Sequence, residues 1–167
     1  MINLHLYRST FLNESRVNRE IDAIEELNLF NEIHLVGINK NDLPKIEKKS
    51  KSTIIFRILR RRNNDTKITT GIKIILWYLI VLKRYWNKNL ICINCHSINV
   101  LPISVILKFI SGARLIYDAH ELETETSSLT GITKSIAKFL ERNLIKYCDY
   151  SIFVSKSTED WYLKEYS

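Results

Sequence analysis

The sequence of 167 residues has few of the residues that interrupt or cross-link a chain: four glycines, two prolines and three cysteines. Such low glycine and proline contents exclude collagen-like and low-complexity classes. Three cysteines cannot form a closed disulfide framework, and the N-terminus MINLHLYRST enters a strand pattern instead of a secretory signal, so we expect a cytosolic, reducing environment. With 46% hydrophobic and 26% charged residues, the composition predicts one globular domain.

The motifs of common cofactor classes are also missing. No G-x-G-x-x-G follows the first predicted strand and no G-x-x-x-x-G-K-[ST] occurs, which excludes an ordinary dinucleotide binder and a P-loop protein. Cys92, Cys95 and His96 match the spacing of c-type haem attachment, but that chemistry occurs on exported chains. We predict a strand there, in which residues three apart face opposite sides, so the two thiols cannot share one ligand. The one remaining cysteine, Cys148, leaves a zinc site short of thiolates. We therefore predict no metal and no cofactor.

A membrane-spanning run is lacking as well. The uncharged segment from Ile74 to Leu82 is far shorter than the ~20 residues that a spanning helix needs. It lies within a helix predicted over 66–86, whose apolar character fits either a buried core helix or a helix lying at a membrane interface.

The net charge of +7 is unevenly distributed along the chain. Residues 40–90 contain 14 Lys/Arg and 3 Asp/Glu, whereas the remainder contains 11 and 15. Such a segment attracts an anionic membrane, a nucleic acid or a phosphorylated ligand, or it is a solvated face. Aromatic residues interleaved with cations over 77–88 would suit stacking or a headgroup layer, but a single helix carries no nucleic-acid fold signature, so nucleic acid is the weaker interpretation.

Hydrophobic periodicity predicts strands that alternate with helices. The predicted strands are 2–7, 32–38, 53–59, 90–95, 114–118 and 150–154, and the predicted helices are 17–27, 66–86, 101–110, 132–147 and 156–166. Asn13 is a candidate N-cap of the first helix, Gly112 ends the third, and 39–52 is a lysine-rich loop. This alternation predicts an α/β fold, with a Rossmann-like parallel sheet flanked by helices in one domain over 1–167.

Ligands bind such sheets outside the carboxyl ends of the strands. The residues that directly follow predicted strands are Arg8, Ser9, His96, Ser97, Ala119, His120, Glu121 and Ser155. His120 with its acidic neighbour Glu121 can orient a hydroxyl or a phosphate, and His96 on the same edge favours this role over a histidine satisfied within its loop. A two-histidine metal site is the weaker alternative, because Glu121 would have to turn towards both rings.

Two arginines fall near the start of the first predicted helix. Arg16 and Arg19 together with the free N–H groups of a helix terminus would make a phosphate site. Arginine in a first turn opposes the helix dipole, however, so simple surface residues are an equal alternative.

Four motifs, in this order along the chain, resemble glycosyltransferases of the GT-B fold, family 4. SRVNRE at 15–20 resembles the family's "RV-x-RE" opening helix, and 91–96 resembles its strand that ends in histidine. LIYDAHELETE at 115–125 resembles the "YD-x-HE" strand and loop, and Glu141-Arg142 leading into 148–155 resembles "ER…AD-x-x-x-x-VS". The likeness runs over nearly the whole chain. The Gly-Gly turn that many relatives carry after the first strand has no counterpart at 9–13.

The resemblance implies the acceptor-side N-terminal domain of a retaining two-domain enzyme that needs no metal. The nucleotide-sugar donor would be held by a C-terminal domain absent from this chain, or by a separate donor subunit, so we expect this chain alone to be inactive. His120 is the catalytic position by resemblance: it would hold a hydroxyl of the transferred sugar rather than act as a general base. The implied substrate-binding residues are His96, Glu121, Arg16, Arg19, Asn13 and Ser155.

The basic segment and the apolar helix then acquire a purpose, which is docking to an anionic membrane that holds a lipid-linked acceptor, as in bacterial surface-polysaccharide synthesis. The membrane-facing residues would be Arg60, Arg61, Arg62, Lys83 and Arg84. The alternative function is a non-catalytic Rossmann-like module that binds an anionic ligand or nucleic acid through 40–90. The transferase hypothesis requires the rings of His96 and His120 to open into one cleft with the start of the first helix. A structure that buries either ring in the interior, or places the two rings on opposite rims, would end it whatever the likeness of the motifs.

Overall fold

The computed structural model describes residues 1–40, 43–60, 65–127 and 129–166, without the side chain of Lys67. The strands in these ranges are β1 (Ile2–Leu6), β2 (Glu32–Asn39), β3 (Ile46–Lys48), β4 (Thr53–Arg60), β5 (Leu90–Cys95), β6 (Arg114–Ala119) and β7 (Tyr150–Phe153). The α-helices are α1 (Ser15–Glu26), α2 (Lys67–Tyr85), α3 (Leu101–Ser111), α4 (Gly131–Leu144) and α5 (Lys156–Tyr166).

The described strands form one sheet in the order β3-β4-β2-β1-β5-β6-β7. Every neighbouring pair is parallel except β3 and β4, so the predicted α/β class with a mostly parallel sheet is confirmed. The segment 39–52 is not entirely a loop, because β3 pairs antiparallel to β4 with Ile46 opposite Phe56. Three residues with a single aliphatic side chain are too short to show an alternating pattern.

Two of the predicted helix ends can be checked directly. Asn13 is not the N-cap of α1: Glu14 holds that position without a side-chain cap, and the Asn13 carbonyl accepts the Ser15 N–H at 3.1 Å. Gly112 does end α3, in the left-handed conformation with φ +72° that favours glycine at this position.

Alternate strand residues face two different helical layers. Leu4, Leu6 and Val36 belong to the larger core, which also contains Trp77 and Val81 of α2. The smaller core on the opposite face joins α1 to β2 and β4, and its members are Phe11, Val17, Ile21, Ile33, Leu35 and Ile55. Because successive residues of β2 enter different cores, α1 and α2 lie on opposite faces of the sheet.

Helix α2 is a core helix, as one of the two interpretations predicts, but only one of its faces is buried. Trp77, Val81 and Tyr85 are buried against the sheet, whereas Ile75 and Leu79 remain exposed. In the part of the chain that the structure describes, no helix combines the length and the apolar character needed to cross a bilayer.

A buried polar layer lies between the central strands and α1. Asn3 and His5 of β1, Asn94 of β5 and Asp118 of β6 are each no more than 1% exposed. An alternating strand such as INLHLY is typical of a sheet with one solvated face, but here β1 is central and α1 lies over its polar side. Polar groups buried in this way have to bond to one another.

Gly37 fixes the path of the chain after β1. The Ser9 carbonyl accepts the Ile38 N–H at 2.9 Å, and a Cβ at position 37 would stand 2.2 Å from that oxygen. Phe11 packs at the same place with a left-handed φ of +57°. The absence of a side chain at Gly37 therefore lets this segment lie against β2 and border the carboxyl edge of the sheet.

Candidate active site

The carboxyl ends of β1, β5 and β6 border a cleft of about 290 Å³. Its lining residues are Tyr7, Arg8, Ser9, Ser97, Ile98, Asn99, His120, Glu121, Glu123, Thr126 and Leu129. This is the edge at which parallel sheets of this class bind ligands. His120 and Glu121 lie in the cleft as predicted, and Arg8, Ser9 and Ser97 join them as strand-end residues.

Asp118 is the centre of the polar network beside this cleft, although the sequence did not single it out. Its Oδ2 accepts hydrogen bonds from His96 Nδ1 and His120 Nε2, both at 3.0 Å, and its Oδ1 accepts one from the Arg16 guanidinium. Burial alone would raise the pKa of Asp118, but the bonds from His120 and His96 hold it well below its ordinary value. The carboxylate is therefore charged at neutral pH.

A chain of hydrogen bonds continues from Asp118 beneath α1. Asn94 Nδ2 lies 3.2 Å from His5 Nε2, and His5 Nδ1 lies 2.9 Å from His96 Nε2. Because an amide nitrogen only donates, His5 accepts at Nε2 and donates from Nδ1, which leaves His96 Nδ1 to donate to Asp118. Burial, reinforced by His96, lowers the pKa of His5 well below its ordinary value, in agreement with this neutral form. The chain thus runs in one direction and ends on the carboxylate.

His96 does not face the cleft, and the prediction that it lines the acceptor side is wrong. Its side chain is wholly buried and stacks on His5 with ring centroids 5.2 Å apart. The rings of Tyr7 and His120, at 6.0 and 5.5 Å, lie next to it at the cleft side. The physical reason is that both ring nitrogens are engaged by buried partners. The requirement that both imidazoles open into one cleft is therefore not met.

His120 carries the network to the cleft, with a side chain that is 20% exposed. Nε2 is directed at Asp118, and no hydrogen bond to Nδ1 occurs among the described residues, so this nitrogen is open to a ligand. A neutral ring would accept a hydrogen bond there, and a protonated ring would donate one. This geometry suits the orientation of a ligand hydroxyl.

Glu123 is a cleft residue that the sequence analysis missed. Its Oε2 accepts the Ile98 N–H at 3.1 Å, at the start of the 3-10 turn Ile98–Val100. Burial raises the pKa of Glu123 to about 7, and the nearby Glu141 adds to the effect. The carboxyl group is therefore partly protonated at neutral pH and can exchange a proton with a ligand. No local signal distinguishes it from the other acidic residues of the loop, because its burial depends on tertiary packing.

The remaining predicted substrate-binding residues differ in where they lie relative to the site. Arg16 reaches the site, but its guanidinium is bound to Asp118, so a phosphate would have to compete with that carboxylate. Arg19 is exposed and donates to the Ser15 carbonyl at 3.4 Å within α1, and Asn13 is exposed in the preceding loop. Ser155 Oγ accepts the Thr158 N–H at 3.2 Å and thus caps the start of α5.

Those of the predicted membrane-facing cations that the structure describes do not form one patch. Arg61 and Arg62 lie outside the described residues. The Arg60 carbonyl accepts from Lys73 Nζ at 3.1 Å beside the first half of α2. Lys83 and Arg84 lie in the last turn, roughly 15 Å further along the helix. The Arg84 guanidinium stands over the Phe56 ring, 3.8 Å from its centroid.

The basic segment 40–90 is likewise divided between the faces of the molecule. Lys49 pairs with Asp22 of α1 at 3.8 Å, whereas Lys83 belongs to α2 on the opposite face of the sheet. Arg57 is buried and bonds Glu47 at 2.6 Å. A continuous nucleic-acid track through this segment therefore has no support from the described cations.

Two sets of three side chains in the described ranges have donor atoms within 4.8 Å of one another, close enough for a metal ion. They are His5, Glu20 and His96, and His96, Asp118 and His120. Asp118, and not Glu121, is thus the carboxylate that stands between the two predicted histidines. The hydrogen bonds described above already account for the positions of these histidine rings, and the expectation of no metal stays a prediction.

The two cysteines of the C-x-x-C-H motif lie on β5 and face opposite sides of the sheet, as predicted. Cys92 Sγ is 3.9 Å from the amide of Asn94 in the polar layer under α1. Cys95 belongs to the larger core and its thiol donates to the Ser97 carbonyl at 3.3 Å. Burial raises the pKa of Cys92 to about 11 and that of Cys95 further. Neither thiol is poised for reaction.

No protein-family model matches the sequence, and no curated protein matches it. Solved structures do match. Sucrose-phosphate synthase from Thermosynechococcus elongatus superposes with a TM-score of 0.72 at 11% identity, over 99% of this chain and 45% of that chain. Trehalose-6-phosphate synthase from E. coli, solved with UDP-2-fluoro glucose, gives a TM-score of 0.57 at 11% identity, over 97% of this chain and 41% of that chain.

Both of these neighbours are GT-B glycosyltransferases, and this chain spans less than half the length of either. A shorter chain of the same sucrose-phosphate synthase matches with a TM-score of 0.63 at 12% identity, over 98% of this chain and 80% of that one. Membership of family 4 stays a prediction. The fold of this chain is that of a GT-B glycosyltransferase domain.

Proposed function

We propose that this chain is the acceptor-side domain of a retaining glycosyltransferase that moves a sugar from a nucleotide-sugar donor to a lipid-linked glycan. The observation that carries the proposal is the position of His120. Its ring stands at the wall of the cleft at the carboxyl edge, with Nε2 on Asp118 at 3.0 Å and Nδ1 left for a ligand. The GT-B fold of the domain supports the reaction class.

In this proposal His120 holds a hydroxyl of the transferred sugar at Nδ1. Asp118 fixes the orientation of the ring, as a buried carboxylate does for a catalytic imidazole. Because Arg16 and His96 also bond to Asp118, that carboxylate orients its neighbours and does not take up a proton itself. A sugar hydroxyl held by a fixed imidazole costs little reorganisation when charge develops on the sugar ring.

The burial of His96 revises the transferase hypothesis. Two imidazoles open to one cleft were required, and that form of the hypothesis fails. The revised form needs only His120 at the cleft, with His96 and His5 behind Asp118 to hold it in place. In this arrangement His96 is a positioning residue and not a substrate contact.

The acceptor glycan would occupy the part of the cleft lined by Glu121, Glu123 and Ser97. Carboxyl and hydroxyl groups of this kind bond the hydroxyls of a glycan, and Glu123 can do so in either protonation state. The diphosphate of the donor would be held by a second domain or a donor subunit. The lipid-linked acceptor would lie in the anionic inner face of the membrane, and the process would be bacterial surface-polysaccharide synthesis.

The test uses the chain together with the second domain that the proposal requires, whether it continues this sequence or copurifies as a subunit. We expect sugar transfer from a nucleotide sugar with retention of anomeric configuration, measured by NMR of the product. His120→Ala should lower turnover by about a hundredfold or more.

The matched control is His34→Gln, which changes a histidine that contacts Tyr85 and Glu32 at the other face of the sheet. It should leave turnover within about twofold of wild type. Full activity of His120→Ala, or inversion at the anomeric carbon, would contradict the proposal. A chain that lacks any transfer partner and elutes from nucleic acid as salt rises would favour the binding-module alternative.

A further inference from the structure

Helix α2 carries apolar side chains on the face that points away from the sheet. Between 38% and 76% of each of these side chains is exposed: Ile68, Ile72, Ile75, Leu76, Leu79 and Ile80. The spacing of three and four residues places them on one stripe, which we call the outer stripe of α2. The opposite face already packs on the sheet, so the core does not account for the outer stripe.

The outer stripe continues into residues that favour a lipid headgroup layer. Lys83 and Trp86 follow Leu79 at helical spacing, and both are exposed. Trp and Lys are enriched where an apolar segment meets the polar boundary of a bilayer. The neighbouring helix α3 adds Ile106 and Phe109, which are 45% and 65% exposed.

The charged residues of α2 itself are all basic: Lys67, Lys73, Lys83 and Arg84. Asp65, two residues before the helix, pairs with Lys73 at 2.7 Å, so the basic margin lies at the end that holds Lys83 and Arg84. A second copy of the chain would present the same cations to this face and be repelled, whereas an anionic surface would be attracted. Apolar side chains with a basic margin are typical of helices that lie in the plane of a membrane interface.

We infer that α2 is an interfacial helix, which docks this domain on an anionic lipid bilayer by inserting its outer stripe. This differs from docking through the arginines of 60–62, because apolar insertion would supply most of the affinity and the cations would add to it. The docking itself does not depend on a transferase activity. Only its purpose, which is to bring a lipid-linked acceptor to the cleft, rests on the proposed function.

The position of α2 relative to the cleft fits that purpose. The Tyr78 hydroxyl donates to the Asn99 carbonyl at 2.5 Å, and Asn99 lines the cleft. Arg8 also lines the cleft and, on its other side, the cavity against Trp77 of α2. A domain that lies on a bilayer through α2 therefore keeps the cleft beside the headgroup layer.

The test is co-flotation of the purified chain with vesicles of phosphatidylglycerol and of phosphatidylcholine, at low salt and at about 0.5 M salt. We expect binding to the phosphatidylglycerol vesicles that persists in part at high salt. The double variant Ile75→Glu/Leu79→Glu should weaken binding by about tenfold or more at both salt concentrations. Lys83→Gln should weaken it by about fivefold, and only at low salt.

Leu27→Glu is the matched control, since Leu27 is 66% exposed at the end of α1 on the opposite face of the sheet. It should bind as wild type does, and circular dichroism should show all variants folded. Absence of flotation, or flotation that the double variant leaves unchanged, would overturn the inference. It would also be overturned by light scattering that shows a dimer which the double variant dissociates, because the occupant of the outer stripe would then be a second copy.

Discussion

Two buried carboxylates, Asp118 and Glu141, organise two different polar clusters in this domain. Asp118 accepts hydrogen bonds from two imidazoles and a guanidinium, and one of those imidazoles reaches the cleft. Glu141 of α4 is fully buried and accepts from three tyrosine hydroxyls: Tyr117 at 2.5 Å, Tyr162 at 2.9 Å and Tyr166 at 2.5 Å. The two clusters therefore differ in whether a partner of the carboxylate reaches the cleft.

That difference separates the cluster of the candidate site from one that joins helices to the sheet. Tyrosine hydroxyls stay protonated, and burial raises the pKa of Tyr162 and Tyr166 still further, so these hydroxyls remain donors to Glu141 over the physiological range. Its partners come from β6 and α5, which makes it a joint between the last helix and the sheet. Of these two clusters, the Asp118 cluster ends at the cleft, where His120 can meet a ligand.

Among substitutions in the two clusters, the largest loss of stability is expected at Glu141. Glu141→Ala would leave three buried hydroxyls without an acceptor and open a cavity, which should lower the free energy of unfolding by about 4 kcal/mol. Glu141→Gln keeps Oε1 as the acceptor for Tyr117 and Tyr162, and its amide can donate to Tyr166, so the loss should be about 1 kcal/mol. Urea denaturation at pH 7 measures both. Equal losses for the two variants would show that packing, and not hydrogen bonding, holds this joint.

A smaller loss is expected at Asp118, and it should depend on pH. Asp118→Asn would present an amide donor or a weaker acceptor to Arg16 and the two histidines. This should lower the free energy of unfolding by about 3 kcal/mol at pH 7. Because the folded-state pKa of Asp118 is lowered, its stabilisation is fully present above the ordinary value of about 3.9 and is lost as the pH falls below that value. Urea titrations at pH 7 and at about pH 3 should therefore show a gap between wild type and variant that shrinks on acidification. A gap independent of pH would indicate a purely steric cost.

Long periodic segments were predictable because their pattern is local. The pattern predicts helix α2 over 66–86 and the helix spans Lys67–Tyr85, since this long apolar stretch is evident from the sequence alone. The edge strand β3 was not predictable, because three residues pair there through the backbone of β4 and not through any pattern of their own.

Only part of the candidate site could be read from the sequence. The strand-end rule found His120, since it depends on strand order alone. It could not tell that His96 is buried or that Asp118 joins the two rings, because both facts depend on how α1 lies over the central strands. Polar residues such as His5 alternate in the sequence as surface residues would, and only their partners across the sheet reveal that they are interior.

Glu123 is the opposite case to Asp118, because burial destabilises the charged form of its carboxyl group. Its folded-state pKa of about 7 lies above the ordinary value, so the folded state binds a proton that the unfolded state has released between about pH 4.5 and pH 7. The free energy of unfolding should accordingly fall by about 2 kcal/mol as the pH rises through this window, and Glu123→Gln should remove that slope. Glu121→Gln, at an exposed position two residues earlier, removes only a minor contribution to that pKa and should keep most of the slope when urea midpoints are compared from pH 5 to pH 8. If the slope persists in Glu123→Gln, a group other than Glu123 takes up the proton, and burial of this carboxyl group at the cleft would not be the source of the pH dependence.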